Sequence, residues 1–286
     1  MKKILISCDS TCALPRDEAK KIGLPILPLN VIVDGVEYHD GIDIDPDQLN
    51  QMMRGGKSIK TSTPTPVEID NFFDQIFKEE DPDVIIHFTI SSKLSSMFNL
   101  FTNHCKERYG DKVVVVDSLS VCVYMLNHVL TAKKLAEEGK SVEEILSSFQ
   151  NRVGTEDVTF IPETLTYLKR GGRISPAVAT IGNLLNMKPV LGFINGAIEK
   201  KSTTRNLKSA IANIFQDYKK KNYDPAKYEL GIIVFDTKES TLEIAKKCAE
   251  EVCPEFHYSF NTISINVCAH CGPGTIGIGM HKKIDA

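Results

Sequence analysis

Three stretches of this 286-residue chain concentrate groups able to grip an anion. The first is Thr61-Ser62-Thr63-Pro64-Thr65-Pro66, directly before a helical pattern starting near Val67. The second is Ser91-Ser92-Lys93-Leu94-Ser95-Ser96, between the apolar run 84–89 and an amphipathic segment. The third is His270 with Gly272-Pro273-Gly274, read as lying just after the last strand. Hydroxyls and the unpaired N–H groups of a helix N-terminus make a ready anion site. No run of lysines accompanies them, which suits a small carboxylate or one phosphate. His270 could add a donor, and a nearby carboxylate would favour its charged form. These residues alone specify an anion pocket and leave the anion open.

Other motifs fail on context. Gly55-Gly56-Lys57-Ser58 ends like a phosphate-binding loop, but Gln51 stands where the first glycine belongs and no strand precedes it. It reads as an exposed turn. Gly272-Pro273-Gly274-Thr275-Ile276-Gly277 matches a dinucleotide fingerprint literally, yet too few residues follow for the helix, strand and acidic residue that fold requires. Cys268-Ala269-His270-Cys271 lacks a second pair of metal ligands, so buried thiols are expected and no metal or other cofactor. Asp9-Ser10-Thr11 and Asp117-Ser118 place polar groups at strand C-terminal ends, where ligands gather in open α/β sheets. Helix capping and turn formation explain each of them equally well.

The elements that must position these residues follow from periodicity. Strands are expected over 3–8, 26–33, 84–89, 112–116, 158–161, 231–235 and 263–267, several as continuous apolar runs suited to strands covered on both faces. Helices are expected over 47–54, 67–78, 95–107, 121–138, 142–152, 204–220 and 240–251, with Ser141 and Glu144 forming a capping box. Alternation of the two kinds predicts an α/β protein with mainly parallel sheets. A polar stretch with Gly154 predicts two domains, 1–153 and 154–286. Leu94, Met97, Phe98 and Phe101 recur at helical spacing and read as core.

Composition bounds the function. Apolar residues make 42% of the chain and charged residues 25%, which excludes wholesale disorder. Thirty-four basic against 37 acidic side chains leave no basic excess for nucleic acid. No apolar run approaches bilayer length, so stable membrane insertion is not expected. Leu5-Ile6-Ser7-Cys8 mimics a lipid-attachment box, but its apolar lead is too short for an export signal and reads as a first strand. A cytoplasmic protein with reduced cysteines is the expectation.

Seven segments, in register, carry a resemblance to the DegV family of bacterial fatty-acid-binding proteins, which includes the acyl-binding subunit of fatty acid kinase. They are Asp9-Ser10-Thr11, Lys60 to Pro64, Ile90 to Ser95, Asp117-Ser118, Glu163 to Ser175, Leu184 to Leu191 and His270 to Gly274. The resemblance implies two α/β domains and a long-chain fatty acid buried between or beside them. It implies that Thr61, Ser62, Ser92, Ser95 and His270 hold the carboxylate, with Gly272 and Gly274 in the adjoining turn. It further implies that Arg173 and Arg205 handle the head group and meet a kinase partner. Thr63, Ser96 and Cys271 depart from the usual Gln, Gly and Thr of the family. Burying ten or more methylenes at about 0.8 kcal/mol each gives roughly 10 kcal/mol of gross driving force. A buried carboxylate would cancel several kcal/mol of that unless donors met it.

Two other functions compete with a non-catalytic carrier. A serine-dependent hydrolase on a lipid-like substrate would use Ser92 or Ser95 as nucleophile and His270 as base, though no Gly-x-Ser-x-Gly elbow occurs. A structural protein with an incidental cavity would bind no lipid.

Overall fold

The computed structural model describes residues 2–179 and 187–284. Part of the expected Leu184 to Leu191 segment, residues 184–186, lies outside the described residues. In chain order the elements are β1 (Ile4–Asp9), α1 (Arg16–Lys21), β2 (Ile26–Leu27), β3 (Asn30–Val33), β4 (Val36–His39), α2 (Pro46–Arg54), β5 (Ile59–Ser62), α3 (Pro66–Glu80), β6 (Val84–Thr89), α4 (Met97–Tyr109), β7 (Val113–Asp117), α5 (Cys122–Glu137) and α6 (Val142–Gln150). The remainder are β8 (Asp157–Ile161), α7 (Thr166–Gly171), α8 (Pro176–Ala179), β9 (Lys188–Ile194), β10 (Ala197–Thr204), α9 (Leu207–Lys221), β11 (Tyr228–Phe235), α10 (Glu239–Val252), β12 (Tyr258–Thr262), α11 (Ile265–Cys271) and β13 (Thr275–Lys282).

Two compact units result. The first holds residues 1–45, 58–153 and 264–266, and the second holds 46–57, 154–263 and 267–286. The chain thus passes into the second unit after Val153, but α2 and the start of α11 each belong to the unit that contiguous halves would not assign them.

In the first unit a four-stranded sheet of order β2-β1-β6-β7 is parallel throughout. All six residues of β6 are buried, as expected for a strand covered on both faces. Ile6, Phe88, Val116, Met125, Val129 and Phe149 lie at the centre of its core. A second sheet, β4-β3-β5, is antiparallel. The helix α3 starts on a capping box: Oγ1 of Thr65 accepts from the Glu68 amide at 3.3 Å, and the Glu68 carboxylate accepts from the Thr65 amide at 2.7 Å. Ser141 and Glu144 form the second such box, at the start of α6.

The second unit is where parallel pairing stops. Its six-stranded sheet, β10-β9-β8-β13-β11-β12, is antiparallel at every pairing except β11–β12. The core is built on Ile211, Phe215, Leu230, Ile232, Ile276 and Met280. A strand expected over 263–267 is instead the approach to and first turns of α11, so His270 sits in the last turn of a helix. The glycine turn after it leads into β13, a strand not anticipated, and so precedes the last strand. Gly277 is in that strand because a Cβ there would stand 2.6 Å from Cγ1 of Ile233 on β11. Among the described residues no helix is long and apolar enough to cross a membrane.

Candidate functional site

The strand order places the first unit's ligand crevice. From β1 the chain goes to β2 on one side and later returns to β6 on the other, so connections diverge between β1 and β6. In open parallel sheets such a switch point opens a crevice at the strands' C-terminal ends. The loops following β1, β6 and β7 there carry Asp9-Ser10-Thr11, Ser91 to Ser96 and Asp117-Ser118.

The two carboxylates at these ends are anchors. Asp9 caps a 3-10 turn, its Oδ1 accepting from the Thr11 amide at 2.8 Å and also from the Thr11 hydroxyl. Its Oδ2 accepts from the Ile90 amide at 2.7 Å, which ties the β1 loop to the β6 loop. Burial pushes the Asp9 pKa up to about 6, against the pull of those donors. Asp117 Oδ1 accepts from the amides of Ser92 and Leu119, each at 3.0 Å. The Ser91 amide donates to the Ser120 carbonyl at 3.1 Å. Leu119 and Cys122 hold left-handed φ values of 46° and 54°, a cost such side chains bear only where neighbours enforce it. The serine loop is therefore held rigid from behind.

Within it, Ser91 is fully buried, and its Oγ accepts from the Lys93 amide at 3.2 Å. Ser95 is half-buried, and its Oγ accepts from the Met97 amide at 3.2 Å at the start of α4. That bond leaves the hydroxyl proton for another acceptor. Ser92 is half-buried too, with its amide pinned by Asp117. Met97 and Phe101 are core, at 1% and 0% exposure, while Leu94 and Phe98 are half-buried. Thr61 and Ser62 lie on β5, opposite Val31 and Asn30 respectively, so their side chains leave opposite faces of the sheet.

Two residues here carried no sequence signal. Asp40 accepts from the Ser10 hydroxyl at 2.9 Å and is hydrogen-bonded by Asn266, and burial pushes its pKa up to about 7. Asn266 is 226 positions further along the chain, so only folding brings them together.

The remaining expected site residues belong to the second unit. His270 is half-buried there, packed over Gly171: a Cβ on that glycine would fall 2.2 Å from Nδ1 of the ring. Burial, with the Arg173 charge adding to it, holds the His270 pKa down at about 4. At pH 7 the ring is therefore neutral in this structure, and only a carboxylate beside it would favour the charged form. Gly272 and Gly274 have φ of 81° and 79°, and a Cβ on them would meet Tyr167 at 2.2 Å and Glu163 at 2.6 Å. The two glycines thus admit the side chains of the Glu163 to Gly171 segment against the turn. Glu163 and Asp236 are both held by Arg54, through contacts of 3.3 Å and 2.6 Å. Arg173 is half-buried and donates to the Gly171 carbonyl, and Arg205 is exposed just before the cap of α9. Cys268 and Cys271 are buried, and burial pushes the Cys271 thiol up to about 12, so Cys271 is not a reactive thiolate.

A groove of about 570 Å³ runs along α1, β2 and α3 of the first unit, and none of Thr61, Ser62, Ser92 or Ser95 lines it.

The model of the DegV family matches residues 3–283. The chain belongs to the DegV family. A DegV domain-containing protein, TTE1491 of Caldanaerobacter subterraneus subsp. tengcongensis, is 30% identical over 283 residues, covering 99% of this chain and 100% of its own. The structure resembles a DegV protein from Thermus thermophilus described as fatty-acid-binding, with TM-score 0.87, 29% identity, and coverage of 99% of this chain and 100% of that one. It also resembles a protein from Eubacterium ventriosum described as binding stearic acid, with TM-score 0.86, 27% identity, and coverage of 100% and 99%. Both structures match this chain over nearly their full length, so the α/β fold is shared.

Proposed function

We propose that this DegV protein binds a long-chain fatty acid and presents its carboxylate to an ATP-dependent fatty acid kinase, without catalysing a reaction itself. Full-length likeness to two structures described as fatty-acid-binding, one of them a DegV protein, carries the lipid part of this proposal. The carboxylate's donors are the hydroxyls of Ser92, Ser95 and one of the Thr61–Ser62 pair, with His270 as a neutral N–H donor. A rigid backing, of the kind Asp117 gives Ser92, lets a hydroxyl meet an anion without paying to order itself. Neutral donors bind a carboxylate more weakly than a buried lysine would, which suits a carrier that must release its cargo.

The hydrolase alternative fares worse on His270. A general base works best with a pKa near the working pH, and this imidazole sits at about 4 beside Arg173.

The binding test is extraction of lipid from purified protein, followed by titration with oleate and palmitate. Ser92→Ala and His270→Ala should each weaken binding about 12- to 160-fold, the loss of one hydrogen bond to a charged group, with the far-ultraviolet circular dichroism unchanged. Unaltered affinity in both variants would remove the head-group assignment. Arg173→Ala should spare lipid binding and lower acyl phosphate formation by a competent kinase. Normal product formation in that assay would leave Arg173 without its partner role.

A further inference from the structure

We propose that Glu37, His39 and Glu68, joined by Asn30, form a divalent-cation site on the first unit. Glu37 and His39 are two apart on β4, so both side chains leave one face. His39 stands opposite Asn30 in the β3–β4 register, and Glu68 comes from the first turn of α3. One ligand atom from each of Glu37, His39 and Glu68 lies within 4.8 Å of the other two. Nε2 of His39 is 3.9 Å from Oε1 of Glu68. Bonds of about 2.0–2.2 Å hold neighbouring ligand atoms roughly 3–4 Å apart, so the three close on an ion by about an ångström.

Other contacts already orient the ligands. Nδ1 of His39 lies 3.1 Å from Oδ2 of Asp43, which selects the tautomer whose Nε2 lone pair is free for a metal. Oε2 of Glu68 accepts from the Thr65 amide and from the Thr65 hydroxyl, each at 2.7 Å, leaving Oε1 toward His39 and Asn30. Among the described residues no Lys or Arg pairs with Glu37 or Glu68.

Asn30 supplies the independent pointer. It is 1% exposed, its Nδ2 donates to Glu68 Oε1 at 3.1 Å, and its Oδ1 has no hydrogen-bond partner. The two ends of an amide are exchangeable by a half-turn. Turned over around a bound cation, Oδ1 would become a further ligand beside Glu68 Oε1, in place of the hydrogen bond that Nδ2 now donates there. One imidazole, two carboxylates and an amide oxygen suit a first-row divalent ion such as Zn²⁺ or Mn²⁺. His39 and Glu68 also line the groove along α1, β2 and α3, so the ion would stand on its wall. The lipid proposal is independent of this one.

The test uses untagged full-length protein stripped with chelator, titrated with Co²⁺ by visible absorption and with Zn²⁺ by equilibrium dialysis. One equivalent per chain is expected, with d–d bands and no thiolate charge-transfer band. His39→Ala should lower affinity by about 100-fold, and Asp43→Asn, a positioning change, by about 10- to 100-fold. If metal-free His39→Ala fails to match the parent's thermal midpoint, Glu37→Gln, on an exposed residue, takes its place. Absence of stoichiometric uptake, uptake unchanged by His39→Ala and by Glu37→Gln, or a thiolate band pointing to half-exposed Cys248 would each overturn the site.

Discussion

His270 shows how a side chain's surroundings reverse what its type suggests. Sequence placed it among possible anions, which would charge it; the fold buries it over Gly171 beside Arg173, which discharges it. The consequence for stability has a definite sign. Between an unfolded pKa of about 6.5 and the folded value of about 4, the unfolded chain takes up a proton that the folded chain refuses. Stability from this group is therefore lost as pH falls through that window. His87, held down to about 3 by burial, acts in the same direction. Asp9 and Asp40, raised to about 6 and about 7, act oppositely, since their folded forms keep a proton the unfolded chain has released. Because these slopes partly cancel in the parent, a variant must separate them. Urea midpoints from pH 7 to pH 4.5 should fall less steeply for His270→Gln than for the parent; parallel curves would contradict the neutral imidazole.

At the scale of elements, strand geometry divides a pair that sequence treated as equivalent. Adjacent residues of β5 point to opposite faces, so one carboxylate cannot be met by both Thr61 and Ser62. Ser62 shares its face with Asn30, while Thr61 lies across from Val31. Thr61→Val and Ser62→Ala should accordingly separate, with only one weakening fatty-acid binding by about 5-fold or more, the scale of one hydrogen bond. Equal losses in calorimetric titration would mean β5 is not a regular strand in the lipid-bound protein. The loops after β6 and β7 make a second element-scale case. Asp117 holds two amides from two loops, and Asp117→Ala strands both. A cost of about 1–3 kcal/mol is expected from the orphaned donors, together with weaker lipid binding because Ser92 loses its anchor. A variant as stable as the parent in urea would show that water replaces the carboxylate.

At the scale of the whole molecule, legibility followed the range of the interactions involved. Parallel β6 was readable because burial on both faces leaves an unbroken apolar run. By contrast β13 was not: its Gly277 and Gly279 look like loop residues, and the close approach of Ile233 that calls for Gly277 comes from a strand more than forty positions away. The 263–267 run, apolar enough for a strand, became the lead-in and first turns of α11, because burial of Ile263 and Ile265 is satisfied by either period. Membership of α2 in the second unit likewise carried no local sign. Of the expected site residues, the serine loop was legible as hydroxyls between a strand and a helix, whereas its anchors Asp9 and Asp117 were ambiguous between ligand and cap until their donors were located.

By itself the sequence determined which residue types cluster by turns of the chain: hydroxyl-rich loops, helices begun by capping boxes, buried thiols without a metal pattern, and the segments that mark the family. Those features rest on contacts within a few residues, where periodicity and capping act. Tertiary structure decided the rest: the antiparallel second sheet, the charge state of His270, the glycines opposite Tyr167 and Glu163, the coupling of Asp40 to Asn266, and the grouping of Glu37, His39 and Glu68. Each depends on a neighbour distant in the chain, and desolvation and close packing exist only once that neighbour has arrived.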